Sequence, residues 1–121
     1  MNEPVPTPAR LMARMPDHPE SQFRRFHARH PDVLDELTHV LRRWHQMRPG
    51  RPYSIWAAFQ IVRWERAIAG LPDPMETFKL NNNTTGFYAR LLRHRHPDLE
   101  AVLAVRHGRY VDRFDPMTVT P

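Results

Sequence analysis

Phe78-Lys79-Leu80-Asn81-Asn82-Asn83-Thr84-Thr85-Gly86-Phe87-Tyr88-Ala89-Arg90-Leu91-Leu92-Arg93-His94-Arg95-His96-Pro97 is the stretch on which the reading of this chain turns. It reads as a short extended piece, a polar turn and then a helix. Asparagine tolerates the left-handed backbone region and hydrogen-bonds its own turn, so the Asn81–Asn83 triplet predicts a sharp change of direction. Asn83, Thr84 or Thr85 is then placed to cap the following helix by accepting from its free N–H groups. On that helix Phe87, Leu91 and Leu92 form an apolar stripe, and Arg90, Arg93, His94 and Arg95 leave a basic flank. A basic helix behind a turn rich in hydrogen-bonding side chains suits docking on nucleic acid. The same pattern also describes an ordinary surface helix.

Upstream, three more helices are legible. Residues 20–30 place Phe23, Phe26 and His27 on one face, and Pro31 ends the run because the residue before proline avoids the helical region. Val33, Leu34, Leu37, Val40, Leu41 and Trp44 give a helical stripe across 32–47, with Asp32, Asp35 and Glu36 near its positive end. Pro49-Gly50 is a stop. Ser54 is a good cap for a helix over 55–69 that Gly70 ends, and whose apolar residues wrap most of its circumference, as a central helix would. Downstream, Leu99, Val102, Leu103 and Val105 predict a fifth helix at 98–107. Met75–Leu80 and Arg109–Phe114 have the residue types of a small two-stranded element.

The expected fold is therefore mainly α: one compact domain over 20–114, with about five helices and a small β element. A winged-helix-like arrangement is compatible with it, since the loop before the basic helix exceeds the 3–4 residues of a tight helix-turn-helix. Residues 1–19 carry five prolines and read as a flexible arm, and 115–121 as a frayed tail.

At 121 residues the chain is long enough for a hydrophobic core without disulfide or metal support. With no cysteine, a disulfide scaffold and a thiolate-ligated zinc site are excluded, and a reducing compartment fits. The N-terminal residues lack the apolar run of a signal peptide and no stretch is apolar over a membrane's thickness, so a cytoplasmic protein without membrane contact is expected. Lys+Arg number 18 against 13 Asp+Glu, with a pI near 10.7, and Lys79 is the one lysine. Arginine suits bidentate contacts to phosphate and guanine, although a surface rich in arginine also follows from base composition alone.

Eight histidines invite a metal reading. No H-E-x-x-H occurs, His94 and His96 point to different sides of one helix, and no P-loop, dinucleotide fingerprint or G-x-S-x-G is present. No enzyme chemistry, no cofactor and no metal site is expected, a histidine-based nuclease being the minor alternative. Arg63-Trp64-Glu65 reads as a packed tryptophan between surface charges.

Phe23-x-x-Phe26-His27-x-x-His30-Pro31, Tyr53-Ser54, Arg63-Trp64-Glu65, Phe78-Lys79-Leu80-Asn81-Asn82-Asn83 and Tyr88-Ala89-Arg90 together resemble a family of small phage and prophage proteins. The resemblance covers about residues 23–107 and implies origin, in a bacterial host cell, more than activity. It implies either a DNA-associated protein or a small protein that blocks a host machine.

Two functions are thus expected. The first is an accessory or regulatory protein that binds DNA or RNA through Lys79, Asn81, Asn82, Asn83, Thr85, Tyr88, Arg90, Arg93, His94 and Arg95. The alternative is an interaction module that inhibits or adapts a host or phage protein complex.

Overall fold

In the computed structural model, which describes residues 18–75, 81–105 and 107–119, four α-helices run in chain order. They are α1 (Pro19–Arg29), α2 (Asp32–Met47), α3 (Ile55–Ile68) and α4 (Asn82–Arg95). Three 3-10 turns follow, at Pro97–Leu99, Val111–Arg113 and Pro116–Thr118. The proline-rich arm up to residue 17 and Lys79 lie outside the described residues.

The punctuation expected from sequence operates at most helix ends. Pro19 occupies the first turn of α1, where a missing N–H costs nothing. The His30 N–H closes that helix on the Phe26 carbonyl at 2.9 Å, just before Pro31. Ser54 Oγ accepts from the Ala57 N–H at 3.2 Å and caps α3. At its other end Gly70, at φ 72°, donates to the Ala67 carbonyl while Leu71 donates to that of Arg66. That pair of bonds satisfies two orphan carbonyls, and glycine adopts the left-handed turn without a Cβ penalty.

The cap of α4 is Asn81, not the residues expected. Its Oδ1 accepts from the Thr84 N–H at 3.0 Å, so the helix starts three residues earlier than the sequence suggested. α4 is also more central than an amphipathic surface helix. Thr84, Thr85, Phe87, Tyr88, Ala89, Leu91 and Leu92 are all buried, and α1, α2, α3 and every 3-10 turn pack on it.

Conversely, α3 is not wrapped by the fold. Ala58, Phe59 and Val62 are buried, whereas Trp64 and Ile68 are 63% and 66% exposed. Its outer face is apolar and open.

The fifth helix and the β element are corrections. Leu99, Val102 and Leu103 are buried as their spacing implied, but after the turn Pro97–Leu99 the chain is irregular. Here the Val102 carbonyl accepts from the Tyr53 N–H at 2.9 Å, so a tertiary bond takes the place of a helical one. Val111–Arg113 closes on itself through Phe114 N–H to Val111 at 3.2 Å, and no strand occurs among the described residues. Residues 76–80 of the expected first strand lie outside them. With no wing among the described residues, a winged-helix arrangement has no support.

Arginines hold this irregular C-terminal wrap. Arg42 reaches Asp98 at 3.4 Å, Arg93 reaches Glu100 at 3.0 Å, and Arg90 reaches Asp112 at 2.9 Å. Arg95 donates to the Val119 carbonyl at 3.2 Å and Arg24 to the Thr118 hydroxyl at 2.6 Å. The segment read as a frayed tail is thus tied down as far as Val119.

Gly86 lets this wrap approach α4. A Cβ there would lie 2.9 Å from Val111 Cγ1. Gly86→Ala gains helix propensity of about 1 kcal/mol, but forcing a stiff, buried β-branched side chain aside costs about 1–3 kcal/mol. A net loss of about 1 kcal/mol is expected by urea denaturation, against the stabilisation that helix propensity alone predicts.

Candidate nucleic-acid interface

The starts of α3 and α4 meet at one cleft of about 380 Å³. Tyr53, Ser54, Ile55 and Trp56 line it from the α3 side, and Asn82, Asn83, Thr85 and Gly86 from the α4 side. Leu103 and Val111, both buried, form part of its apolar lining, and His107 and Gly108 stand on the wrap beside it. The first turn of an α-helix presents N–H groups without intrahelical partners and a partial positive charge. Neither helix has an acidic residue in its first turn, and none of the described residues lining the cleft is Asp or Glu. The cleft is therefore polar at the α4 side, aromatic at the α3 side and biased toward anions.

Exposed cations stand in the adjoining chain. Arg48 and Arg51 are exposed in the turn leading to Tyr53, and Arg109, also exposed, follows Gly108. None of the three forms an ion pair among the described residues. That turn is fixed from behind, because the Trp44 indole donates to the Arg51 carbonyl at 2.9 Å and its ring lies 4.5 Å from that of Tyr53.

Of the expected site residues, Asn82, Asn83 and Thr85 come together in the cleft. Asn82 is exposed and Asn83 half-buried. Thr85 is buried and its hydroxyl donates to the Asn82 carbonyl at 3.0 Å. Asn81 is engaged as the helix cap. Arg90, Arg93 and Arg95 do not join this cleft but reach to the C-terminal wrap, and His94 is exposed. The basic flank is thus largely an internal clamp. Desolvation acts to raise the Asp112 carboxyl; the Gly108 backbone, His107 and Arg90 outweigh it and lower its pKa.

Tyr88 is fully buried among Phe23, Phe26, His27 and Phe59, so its ring serves the core. Its hydroxyl has no hydrogen-bond partner among the described residues. Burial pushes its pKa far above the usual phenol value, helped by the negative charge of Asp32. The consequence has a definite sign. A tyrosine of the unfolded chain ionises above pH ~10 while the folded one cannot, so stability is intact below that pH and falls above it. The loss from this group is expected to approach about 1.4 kcal/mol per pH unit. In Tyr88→Phe that slope should disappear from urea midpoints at pH 9 and 11, and stability at pH 7 should rise by about 1 kcal/mol as the buried hydroxyl is removed.

Tyr53, Trp56 and His107 were not among the site residues expected from sequence. The available signal was Arg51-Pro52-Tyr53-Ser54-Ile55-Trp56, two aromatics flanking a helix cap behind a basic turn. Among the described residues, no three His, Cys, Asp or Glu side chains gather as metal ligands, and no helix is long and apolar enough to cross a membrane. Comparison with protein-family models, curated proteins and solved structures finds no match to this chain.

Proposed function

We propose that this chain is an accessory protein that binds nucleic acid with unpaired bases at the cleft between the starts of α3 and α4. One observation carries the reading: a cleft of about 380 Å³ with two asparagine amides on one side, two aromatic rings on the other and no acid in its described lining. An unpaired base offers a π-face to Tyr53 or Trp56 and a hydrogen-bonding edge to Asn82 and Asn83. Arg51 and Arg109 flank the cleft in sequence and meet the phosphates on either side. The basic balance of the whole chain favours the encounter.

Fluorescence anisotropy with labelled single-stranded and duplex oligonucleotides, over a salt series, tests the reading. Tighter binding of the single strand is expected. Each phosphate contact to a single strand contributes about 0.7 to the slope of log K against log salt. Arg51→Ala/Arg109→Ala should therefore lower the slope by roughly 1.4, and Asn82→Ala/Asn83→Ala should weaken binding with little change of slope. No binding at low salt, or unchanged affinity in both double variants, excludes this site.

A second reading, a module that docks on a host or phage protein, is favoured by the open apolar face of α3. Binding of a distinct protein that survives nuclease treatment and is abolished by Trp64→Asp would select it.

A further inference from the structure

We infer that the outer face of α3 is a self-association surface, occupied by the same face of a second copy of this chain. Trp56, Gln60, Trp64, Ala67 and Ile68 recur at helical spacing on that face, and Leu71 continues it past the Gly70 turn. The helical part of the row, Trp56 to Ile68, is about 18 Å long at the α-helical rise. Trp64, Ile68, Leu71 and Trp56 are 63%, 66%, 55% and 44% exposed. Four large apolar side chains exposed to that degree leave roughly 400–500 Å² of apolar surface in water, toward the upper end for a single patch on a monomer.

The flanks of the row decide the occupant. On one side Arg63 pairs with Asp73 at 2.9 Å, and on the other Arg43 pairs with Glu65 at 3.6 Å. Each flank thus carries one cation and one anion. A twofold axis that sets two α3 helices antiparallel brings like flank against like flank, and each then meets a flank holding both signs. The chain's net charge of +5 opposes association elsewhere, but this face is locally neutral. A nucleic acid gains nothing on it, because its cations are already matched by acids. Antiparallel pairing seats Trp64 of one copy against Ile68 of the other, and the reverse. In that pairing Trp56 lies beyond the contact, so Trp64, Ile68 and Leu71 of the two copies remove roughly 700 Å² from water, and the charged flanks bring the total to about 1,000 Å², the size of a weak, reversible interface. Trp56, the residue of the row that also lines the cleft, lies outside this pairing, so the self-association and the nucleic-acid reading are tested at different residues.

Sedimentation equilibrium of the full chain from about 5 to 200 μM spans the dissociation constants that an interface of this size supports. The mass is expected to rise with concentration from 14.4 kDa toward twice that value. Trp64→Asp/Ile68→Asp should stay at the monomer mass with an unchanged far-ultraviolet spectrum. As the chain has no cysteine, Ala67→Cys supplies a single thiol close to the twofold axis. Under mild oxidation it should form a covalent dimer, and Arg29→Cys on α1 should not. A wild-type chain that stays monomeric throughout, or a dimer that survives the double substitution, overturns the inference. So does equal cross-linking by the two cysteine variants.

Discussion

Phe23→Ala should cost about 3–5 kcal/mol, in the range of the largest losses a core truncation causes. Phe23 is completely buried. Its ring lies 4.8 Å from Tyr88, 5.3 Å from Phe87 and 5.5 Å from Phe114, and it stacks on His27 at 6.1 Å. Those neighbours belong to α1, α4 and the C-terminal wrap, so one side chain joins three parts of the chain. Truncation removes the transfer free energy of the ring and leaves a cavity that rings fixed on separate elements cannot readily fill. Edge-to-face contacts add about 0.5–1.5 kcal/mol for each pair lost. For a domain with total stability of about 5–15 kcal/mol, this puts folding close to its margin. Urea denaturation followed by circular dichroism reads the effect, and a loss below about 1 kcal/mol would mean that the aromatic cluster is not the centre of the core.

Arg66→Met should cost about 2–3 kcal/mol, with no ligand involved. The Arg66 side chain is 10% exposed, on the inner side of α3 opposite the apolar row. It donates to Glu36 at 2.8 Å, to Asp32 at 2.6 Å and to the Pro72 carbonyl at 3.4 Å, and it makes a further, shorter contact with Glu36. Hydrogen bonding to Glu36 holds its pKa above the ordinary value, with burial opposing and Asp32 adding. One guanidinium thereby ties α3 and the chain beyond Gly70 to the first turns of α2. Asp32 remains 63% exposed and Glu36 33% exposed, so both acids regain water when the arginine is removed. That solvation keeps the cost below the 3–5 kcal/mol of breaking a fully buried pair. Arg66→Lys should recover only part of it, because an ammonium cannot reproduce the planar fork. If Arg66→Met matched the wild-type urea midpoint, the three-way link would carry no stability.

The contrast between these residues and the expected site marks what sequence conveys here. The ends of α1, α2 and α3 were legible because Pro31, Pro49, Ser54 and Gly70 act within a few bonds of themselves. The burial of Phe23, Leu37 and Phe59 followed from helical spacing. The region after Pro97 was not legible. Its apolar spacing is helical, but the Val102 carbonyl is engaged by the Tyr53 amide, a bond across 49 residues (102 − 53) that no local pattern announces. The arginines of α4 show the same limit. Arg90 meets its acid 22 residues on and Arg93 meets its acid 7 residues on. A reading that sees only a basic helix flank counts such cations as free. The same limit hid the cleft, whose two walls begin at Tyr53 and Asn82. Only the Asn82–Asn83 half carried a visible signal, and the Tyr53–Trp56 half became legible once the two helix starts were placed together.

The apolar residues of α3 show a further limit of pattern. A helix apolar nearly all round predicts burial on all sides, yet among the described elements α3 packs chiefly on α2 and α4. The sequence registers that the outer face is apolar. It does not register that covering it within the chain is left undone by the described residues.

The most direct test is the amide spectrum of the ¹⁵N-labelled chain titrated with a short single-stranded oligonucleotide. Shifts are expected to gather at the Trp56 indole, the Asn82 and Asn83 side-chain amides, and the Gly86 and Gly108 backbone. Shifts confined to His94 and the outer side of α4, or to Trp64 and Ile68, with the cleft residues unmoved, would contradict the assignment.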